Sequence, residues 1–181
     1  MFTGIVESSA TILDIKPEGT NIVFYLKSHI CNEFKVDQSI SHNGICLTVT
    51  SINELQYSVT AIKETLSRTN AGLWQIGDTI NIERCMKADA RFDGHYVQGH
   101  VDCIGIVDEI NDLDGSFMIF ISHPANAGLT VNKGSITVNG VSLTVVDSFP
   151  IAFSVAIIPY TWENTNFSNL KEGDSVNLEF D

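Results

Sequence analysis

The sequence has few basic residues, no long apolar runs and no closely spaced cysteine pair. Its 10 Lys and Arg face 22 Asp and Glu, which gives a formal net charge of -12 over 181 residues. Sequence-independent binding of nucleic acid needs clustered Lys and Arg to neutralise phosphate, and an anionic membrane surface repels a chain of this charge. We therefore expect neither nucleic acid nor a membrane among its partners.

No apolar stretch resembles a transmembrane helix, because Ser, Thr, Asn or Gly interrupts each one. The first residues, Met1–Glu7, have neither the basic start nor the long apolar stretch of a signal peptide, so we expect a cytoplasmic protein. Hydrophobic residues make up 44% of the chain and charged residues 18%, which is enough apolar material for one ordinary domain or two small ones.

The cysteines and histidines do not have the spacing of a metal site. None of the four cysteines forms a Cys-x-x-Cys pair, which excludes zinc-ribbon and thioredoxin-type motifs, and without a secretory leader we expect free thiols. Of the five histidines only His95 and His100 are close, and five residues fit neither a helical nor a strand ligand pair. We therefore predict no metal.

One segment of the chain occurs twice. Residues 39–83 align without a gap on residues 135–179, with 17 identities in 45 positions. Chance would give about three identities at ordinary residue frequencies. Gly4-Ile5-Val6 also recurs as Gly105-Ile106-Val107, at an offset of 101 instead of 96. The repeat predicts two homologous domains, with residues 1–88 and 89–181 as their bounds and the joint within 86–93.

Each half has the pattern of a small β-barrel. The Asn-Gly pairs at 43–44 and 139–140 stand between alternating apolar and polar residues, which is a strong hairpin signal. About six short strands per half favour a closed antiparallel barrel, because closure removes exposed edges. Further strands are predicted at 21–27, 57–62, 79–83, 116–122, 153–158 and 175–180. Short helices are predicted at 64–73 and 160–170, and near His29 and Pro124.

Positions that differ between the halves are candidates for asymmetric chemistry. Cys46 aligns with Ser142, and Glu64 aligns with Tyr160. Cys46 is either a small core residue or a functional thiol, and both interpretations stay open. His100 has no counterpart under the 101 offset, and it stands in a stretch with two histidines and two glycines in seven residues. That density favours a function for His100, whereas charged side chains such as Asp102 are by default solvated.

Five segments of the chain resemble the riboflavin synthase family, which also includes lumazine proteins. They span the whole chain in the family's order: Met1–Val6, His42–Val49, Glu64–Asn70, Gly94–Asp102 and Lys133–Val145. The resemblance implies an all-β fold of two tandem homologous six-stranded Greek-key antiparallel barrels with short helices, assembled as a homotrimer. It implies a four-carbon transfer between two molecules of 6,7-dimethyl-8-ribityllumazine, giving riboflavin and 5-amino-6-ribitylamino-uracil without a cofactor or metal.

The resemblance also implies two lumazine pockets, which face each other between the first barrel of one subunit and the second barrel of its neighbour. In the first barrel the expected pocket residues are Gly4, Ile5, Val6, Ser39, Cys46, Leu47, Thr48, Glu64, Thr65, Leu66, Ser67, Arg68 and Thr69. In the second barrel they are His100, Val101, Asp102, Lys133, Ser142, Leu143, Thr144, Ala156, Ile157, Ile158, Pro159, Tyr160 and Thr161. His100 is the leading acid–base candidate, because imidazole changes protonation near neutral pH. Cys46 or Ser39 is expected to supply, activate or orient a nucleophile.

Two departures from the family carry expectations of their own. Asn139 stands where many relatives have Asp, which would weaken any role of that position in orienting substrate. The sequence ends at Asp181, whereas relatives continue with an amphipathic helix that holds the trimer, so we expect the trimer either to use other contacts or to depend on such a segment. In some organisms a lumazine synthase shell encloses the enzyme, which makes that protein a candidate partner.

Three other functions compete with this prediction. A non-catalytic lumazine- or flavin-binding fluorescence protein of the same fold is the main alternative, but such proteins tend to lose the pattern that Cys46, His100, Lys133 and Ser142 preserve. A flavin-binding barrel of a redox enzyme is disfavoured because no Gly-x-Gly-x-x-Gly motif is present. An oligosaccharide- or oligonucleotide-binding barrel is the third, and the net acidity opposes its nucleic-acid form.

Overall fold

The computed structural model describes all 181 residues, and its strands form two closed antiparallel barrels of six strands each. The first barrel consists of β1 (Ser8–Glu18), β2 (Asn21–Lys27), β3 (Ser39–His42), β4 (Ile45–Asn53), β5 (Gln56–Ala61) and β6 (Thr79–Arg84). The second consists of β7 (Cys103–Asp112), β8 (Phe117–Ser122), β9 (Ser135–Val138), β10 (Val141–Phe149), β11 (Ala152–Ile157) and β12 (Ser175–Phe180).

Both barrels have Greek-key topology. The neighbours around the first barrel are β1-β2-β5-β4-β3-β6, and those around the second are β7-β8-β11-β10-β9-β12. In each, three strands joined by hairpins are followed by a last strand that returns beside the first of the three. The predicted all-β fold of two homologous six-stranded barrels is therefore confirmed.

The two Asn-Gly turns form as their sequence predicts. Asn43 has a φ of 48° and Asn139 a φ of 46°, and the glycine after each also has a positive φ. Two consecutive residues in the left-handed region give the type I′ turn, whose twist matches that of the flanking strands. The turns fix the registers of β3 on β4 and of β9 on β10.

The predicted helices are shorter than expected. Helix α1 covers Lys63–Arg68 and α2 covers Pro159–Asn164, and each is followed by a separate 3-10 turn, at Asn70–Leu73 and Asn166–Asn169. Thr69 and Thr165 interrupt the helices because their backbones are extended, and their hydroxyls cap the 3-10 turns. A 3-10 turn also forms at Cys31–Glu33, whereas the helix predicted near Pro124 is absent. Both helices are six residues long, well short of what a membrane span requires.

Each barrel encloses its own apolar core, and the cores differ at one polar pair. His42 is fully buried in the first barrel, where its Nδ1 lies 3.0 Å from the Ile40 carbonyl and its Nε2 lies 2.9 Å from the Tyr57 hydroxyl. At the aligned positions the second barrel has Val138 and Phe153, both fully buried. Burial lowers the pKa of His42 to about 4, so this imidazole is neutral at pH 7.

The barrels meet through a cluster of buried asparagines that contains both Asn-Gly turns. The Asn81 amide donates to the Asn139 carbonyl at 3.0 Å, and the Asn177 amide donates to the Asn43 carbonyl at 2.9 Å. The Asn139 side chain in turn accepts the backbone N–H of Asn177 at 2.8 Å. Asn139 is therefore a structural residue of the inter-barrel contact, and the weakening of any role of this position in orienting substrate stays a prediction.

The segment between the barrels, residues 85–102, contains the predicted boundary at 88 and 89 and forms no regular element. One isolated antiparallel bridge joins it to the N-terminus, with Phe2 paired to Val97. Both side chains are fully buried. The start of the chain is thus tied to the segment that links the two barrels.

The strand registers correct the predicted offset of the two N-terminal segments. Ser8 of β1 pairs with Ile82, and Cys103 of β7 pairs with Leu178, the residue aligned with Ile82. Ser8 and Cys103 are therefore equivalent, at an offset of 95. The match of Gly4-Ile5-Val6 to Gly105-Ile106-Val107 was wrong, because the first triplet precedes a strand and the second lies within one.

Candidate ligand pockets

Two chain segments that precede the first strands shape the candidate sites. We call residues 2–6 the first arm and residues 97–101 the second arm. At the offset of 95 they are equivalent, so His100 does have a counterpart, which is Ile5. The bridge between Phe2 and Val97 pairs the two arms with each other at equivalent residues.

The arms cross between the barrels. The carbonyl of Gly4 accepts the backbone N–H of Ser142 in the second barrel at 2.8 Å, and that of Gly99 accepts the N–H of Cys46 in the first barrel at 2.8 Å. Val6 packs against the core of the second barrel, and Val101 packs against the core of the first. Each barrel is therefore completed by the arm that lies in sequence before the other barrel.

This crossing changes the expected grouping of the pocket residues. Gly4, Ile5 and Val6 lie beside Ser142 and not beside Cys46, whereas the segment of His100 lies beside Cys46. The assignment of the two arms to their own barrels was wrong. Sequence order suggested it, but strand β1 starts at the inter-barrel contact, so the preceding residues reach the other barrel.

A cavity of about 680 Å³, which we call the second-barrel pocket, lies between the first arm and helix α2. That volume is within the range of small-molecule sites. The predicted residues that line it are Gly4, Ile5, Val6, Ser142, Tyr160 and Thr161. Its wall also contains hydroxyl and amide side chains from both barrels, namely Ser8, Ser9, Thr79, Asn164, Thr165, Ser168 and Asn169, and it is completed by Glu7, His29, Val141 and Glu163.

The equivalent cavity beside helix α1 has about 350 Å³, and we call it the first-barrel pocket. Its seven lining residues are Glu64, Ser67, Arg68, Asp102, Cys103, Ile104 and Pro124. Every one of them has its equivalent in the wall of the larger pocket, namely Tyr160, Glu163, Asn164, Glu7, Ser8, Ser9 and His29. The two cavities are thus one site built twice, and the copy in the first barrel is smaller and more charged.

Cys46 is half-buried at the start of β4, where it contacts the second arm. Burial raises the pKa of its thiol, and the nearby Ser39 side chain lowers that pKa by less. The thiol is therefore protonated at pH 7, so it can donate a proton or a hydrogen bond but is a poor thiolate nucleophile. The structure brings the predicted residues Ser39 and Cys46 together.

Ser142, which is aligned with Cys46, has a partner that the sequence analysis missed. Its hydroxyl lies 2.6 Å from Nδ1 of His95, and Nε2 of His95 lies 3.0 Å from the Thr137 hydroxyl. Burial lowers the pKa of His95, and the nearby Asp181 carboxylate raises it by less, so the imidazole is neutral at pH 7. A neutral His95 can take the Ser142 proton. The paired histidines in the sequence were the only available signal.

The remaining predicted residues are dispersed. The His100 side chain is exposed and is not among the lining residues of either cavity, and its backbone N–H donates to Glu179. Lys133 lies in a turn with a φ of 66° and lines neither cavity. Leu47 and Ile157 are buried in the cores, against which Leu66 and Leu143 also pack. Val101 packs against the first core. The Thr65 backbone carbonyl accepts a hydrogen bond from the Thr69 hydroxyl, and Pro159 is the first residue of α2. Four further predicted residues are exposed: Thr48, Thr144, Ala156 and Ile158.

No group of three or more His, Cys, Asp or Glu side chains is arranged to hold a metal ion. Hydroxyl and amide side chains predominate in the second-barrel pocket, which also contains Glu7, Glu163 and His29, whereas the first-barrel pocket contains Glu64, Arg68 and Asp102. Polar walls of this kind can hydrogen-bond a ligand with a polar edge and a hydroxylated chain.

The chain consists of two lumazine binding domains, since the model of that family matches residues 3–85 and again 98–181. Riboflavin synthases align with all of it. That of Actinobacillus pleuropneumoniae is 39% identical over 183 residues, with 100% of this chain and 85% of the relative covered. Those of Bacillus subtilis and Escherichia coli are 37% and 36% identical, with 100% of this chain and 85% and 87% of the relatives covered. The chain belongs to the riboflavin synthase family.

Solved structures support the fold independently. LumP complexed with riboflavin superimposes with a TM-score of 0.92 at 20% identity, over 99% of each chain. LumP complexed with 6,7-dimethyl-8-(1'-D-ribityl) lumazine gives a TM-score of 0.90, over 99% of this chain and 98% of that one. At this identity the likeness concerns the barrels alone.

Proposed function

We propose that the chain converts two molecules of 6,7-dimethyl-8-ribityllumazine into riboflavin and 5-amino-6-ribitylamino-uracil by transfer of a four-carbon unit. The observation that supports this most is the presence of two equivalent pockets in a chain that is 36–39% identical to riboflavin synthases. A reaction between two copies of one substrate needs two similar binding sites, and the duplicated barrel supplies them. The two substrates contain all the atoms of the two products, so no oxidant, reductant or cofactor enters.

The proposed active site lies between two subunits. The two pockets share no lining residue, so lumazines bound to one chain are not stacked on each other. A homotrimer in which the first-barrel pocket of one subunit faces the second-barrel pocket of its neighbour would stack them. Alignment of two rings in this way can offset about 7–11 kcal/mol of the barrier. We place the reaction in the cytoplasm and keep lumazine synthase as a candidate partner.

The chemistry needs a base that removes a proton from the 7-methyl group of one lumazine and a nucleophile that adds to C7 of the other. We assign the proton transfer to His100 and the support of the nucleophile to Cys46 and Ser39. The protonated state of Cys46 suits hydrogen bonding to an adding hydroxyl better than direct attack. In the second-barrel pocket, Ser142 activated by His95 can exchange a proton with the other ring.

A fluorescence assay tests the proposal. Purified chain mixed with 6,7-dimethyl-8-ribityllumazine should produce riboflavin emission and one equivalent of the pyrimidine product for each riboflavin. Stable lumazine emission without conversion would support the alternative, a non-catalytic lumazine- or flavin-binding fluorescence protein. Calorimetric titration with a non-reacting lumazine analogue should give two ligands per chain, and a single ligand would contradict the two-pocket proposal. Sedimentation of the same sample tests the trimer, whose dissociation on dilution should abolish activity.

A further inference from the structure

Two buried carboxylates hold the crossing arms. Glu83, at the end of β6, accepts the backbone N–H groups of Thr3 at 2.7 Å and of Gly4 at 3.0 Å, together with the Thr3 hydroxyl at 2.9 Å. Only 5% of Glu83 is exposed. A desolvated carboxylate needs such donors, and these bonds fix the first arm where it enters the other barrel.

Glu179 occupies the aligned position on β12 and does the same for the second arm. It accepts the backbone N–H groups of Gln98, Gly99 and His100 at 2.6, 2.9 and 2.9 Å. Neither Glu83 nor Glu179 forms an ion pair. The partners of Glu83 are backbone N–H groups of the first arm and the Thr3 hydroxyl, and the partners of Glu179 are backbone N–H groups of the second arm.

The arms fit so closely that small movements displace the pocket walls. A Cβ on Gly4 would lie 2.6 Å from Cβ of Ser142, and a Cβ on Gly99 would lie 2.8 Å from Cβ of Cys46. Both glycines have positive φ, 76° and 79°. The held ends of the arms are therefore the same residues that touch the candidate catalytic side chains.

We propose that Glu83 and Glu179 are crossed positioning residues. Glu83, on the first barrel, sets the wall of the second-barrel pocket through the first arm. Glu179, on the second barrel, sets the position of the second arm against Cys46 of the first barrel, directly before Asp102 in the wall of the first-barrel pocket. The ligand named in the test below rests on the proposed function, whereas the positioning itself is a property of the arms.

The test measures each pocket separately. Titration of ¹⁵N-labelled chain with a non-reacting lumazine analogue gives one affinity from the amide signal of Ser142 and another from that of Cys46. Glu83→Gln replaces a carboxylate, which accepts at both oxygens, by an amide whose NH₂ group cannot accept a hydrogen bond from the N–H groups of the arm. It should weaken binding at Ser142 by about 10- to 100-fold and leave binding at Cys46 unchanged. Glu179→Gln should do the reverse. The controls Glu18→Gln and Glu172→Gln make the same charge change at exposed sites and should change neither affinity.

Amide hydrogen exchange without ligand supplies the second readout. Glu83→Gln should speed exchange of the Ser142 amide, whose acceptor is the arm carbonyl, and should spare the Cys46 amide. Where the glutamine variant does not fold, Glu83→Asp keeps the charge but withdraws it by one methylene, and the same comparison applies. Equal effects on both pockets, effects on the mutated barrel's own pocket, or no effect would overturn the proposal. If the wild-type chain binds no analogue while the Glu83→Gln and Glu179→Gln variants still show the crossed change in amide exchange, the proposed function alone would be rejected.

Discussion

The two barrels differ far more in their pockets than in their frames. Turns, strand order and inter-barrel asparagines are the same in both, as are the glutamates that hold the arms. The pockets, in contrast, have volumes of about 350 and 680 Å³. Where each arm meets its barrel, the Cys46 thiol near Ser39 in the first barrel corresponds to the Ser142 hydroxyl beside His95 in the second. Duplication thus kept the bonds that build the fold, while the side chains facing the ligands diverged.

Such divergence suits a reaction in which one substrate gives carbon and its twin accepts it. Two identical pockets would bind both molecules in the same way, with nothing to distinguish donor from acceptor. In the proposed reaction, the exchange of Cys46 for Ser142 and of Glu64 for Tyr160 would give each ring a different environment. The predictions below test this contrast between barrels.

The largest effect is expected where the pockets differ most. Cys46→Ala and His100→Ala should each lower kcat by about two to four decades, the range of general acid–base contributions. Steady-state riboflavin formation measures this, with Thr20→Ala as a control substitution at an exposed position. Near-normal rates for both variants would reduce the two side chains to packing residues.

The buried polar pair of the first barrel should make its stability depend on pH. Because the pKa of His42 is about 4 when folded and near 6.5 when unfolded, the unfolded chain takes up the proton first. The stabilisation is complete above pH 6.5, and about 3 kcal/mol of it should be lost as the pH falls to 4. His42→Val with Tyr57→Phe, which copies Val138 and Phe153, should remove this loss. Urea unfolding at pH 7, 5.5 and 4 measures it, and parallel curves for wild type and variant would contradict it.

The inter-barrel cluster should respond symmetrically, in contrast to the pockets. Asn81→Ala and Asn177→Ala each remove an amide that bonds the other barrel and leave a buried carbonyl without its donor. Each should cost about 2 kcal/mol in the free energy of unfolding. Equilibrium denaturation of the two variants should give matching values, and a several-fold difference would show that the barrels are not equivalent partners at this contact.

The smallest effect is expected at the ion pair of helix α1. Arg68 and Glu64 are 2.6 Å apart but both exposed, and salt and side-chain entropy oppose such pairs. Arg68→Asn, which copies Asn164 of the second barrel, should leave the Tm unchanged in a thermal scan at low and high salt. A salt-dependent fall in Tm would show that the charge in this pocket stabilises the fold.

Local signals made the barrels predictable. The β-rich composition of 21–27, the two-residue alternation of 175–180 and the Asn-Gly pairs fix strands and turns without distant partners, so the structure follows the sequence there. The helices were overextended because the interruption at Thr69 depends on a hydroxyl that caps the next turn.

The site was only partly predictable, because its parts meet through distant contacts. The two arms are identical only at Gly4 with Gly99 and at Val6 with Val101, so the three identities of Gly4-Ile5-Val6 with a strand favoured the false match. The contact of His95 with Ser142 joins residues 47 positions apart, and the bonds from Glu179 to the second arm span about 80. No local pattern announces either contact.

The bridge between Phe2 and Val97 has a consequence for how such a molecule could have arisen. A lone copy of the repeat would carry an arm with no neighbouring barrel to receive it, and would itself lack the arm that closes its core. It could place its own arm and complete its own core only by forming a domain-swapped homodimer, in which two copies exchange their arms. Fusion of the two copies would then have turned an exchange of arms between molecules into an exchange within one chain. Each half could afterwards diverge in sequence from the other.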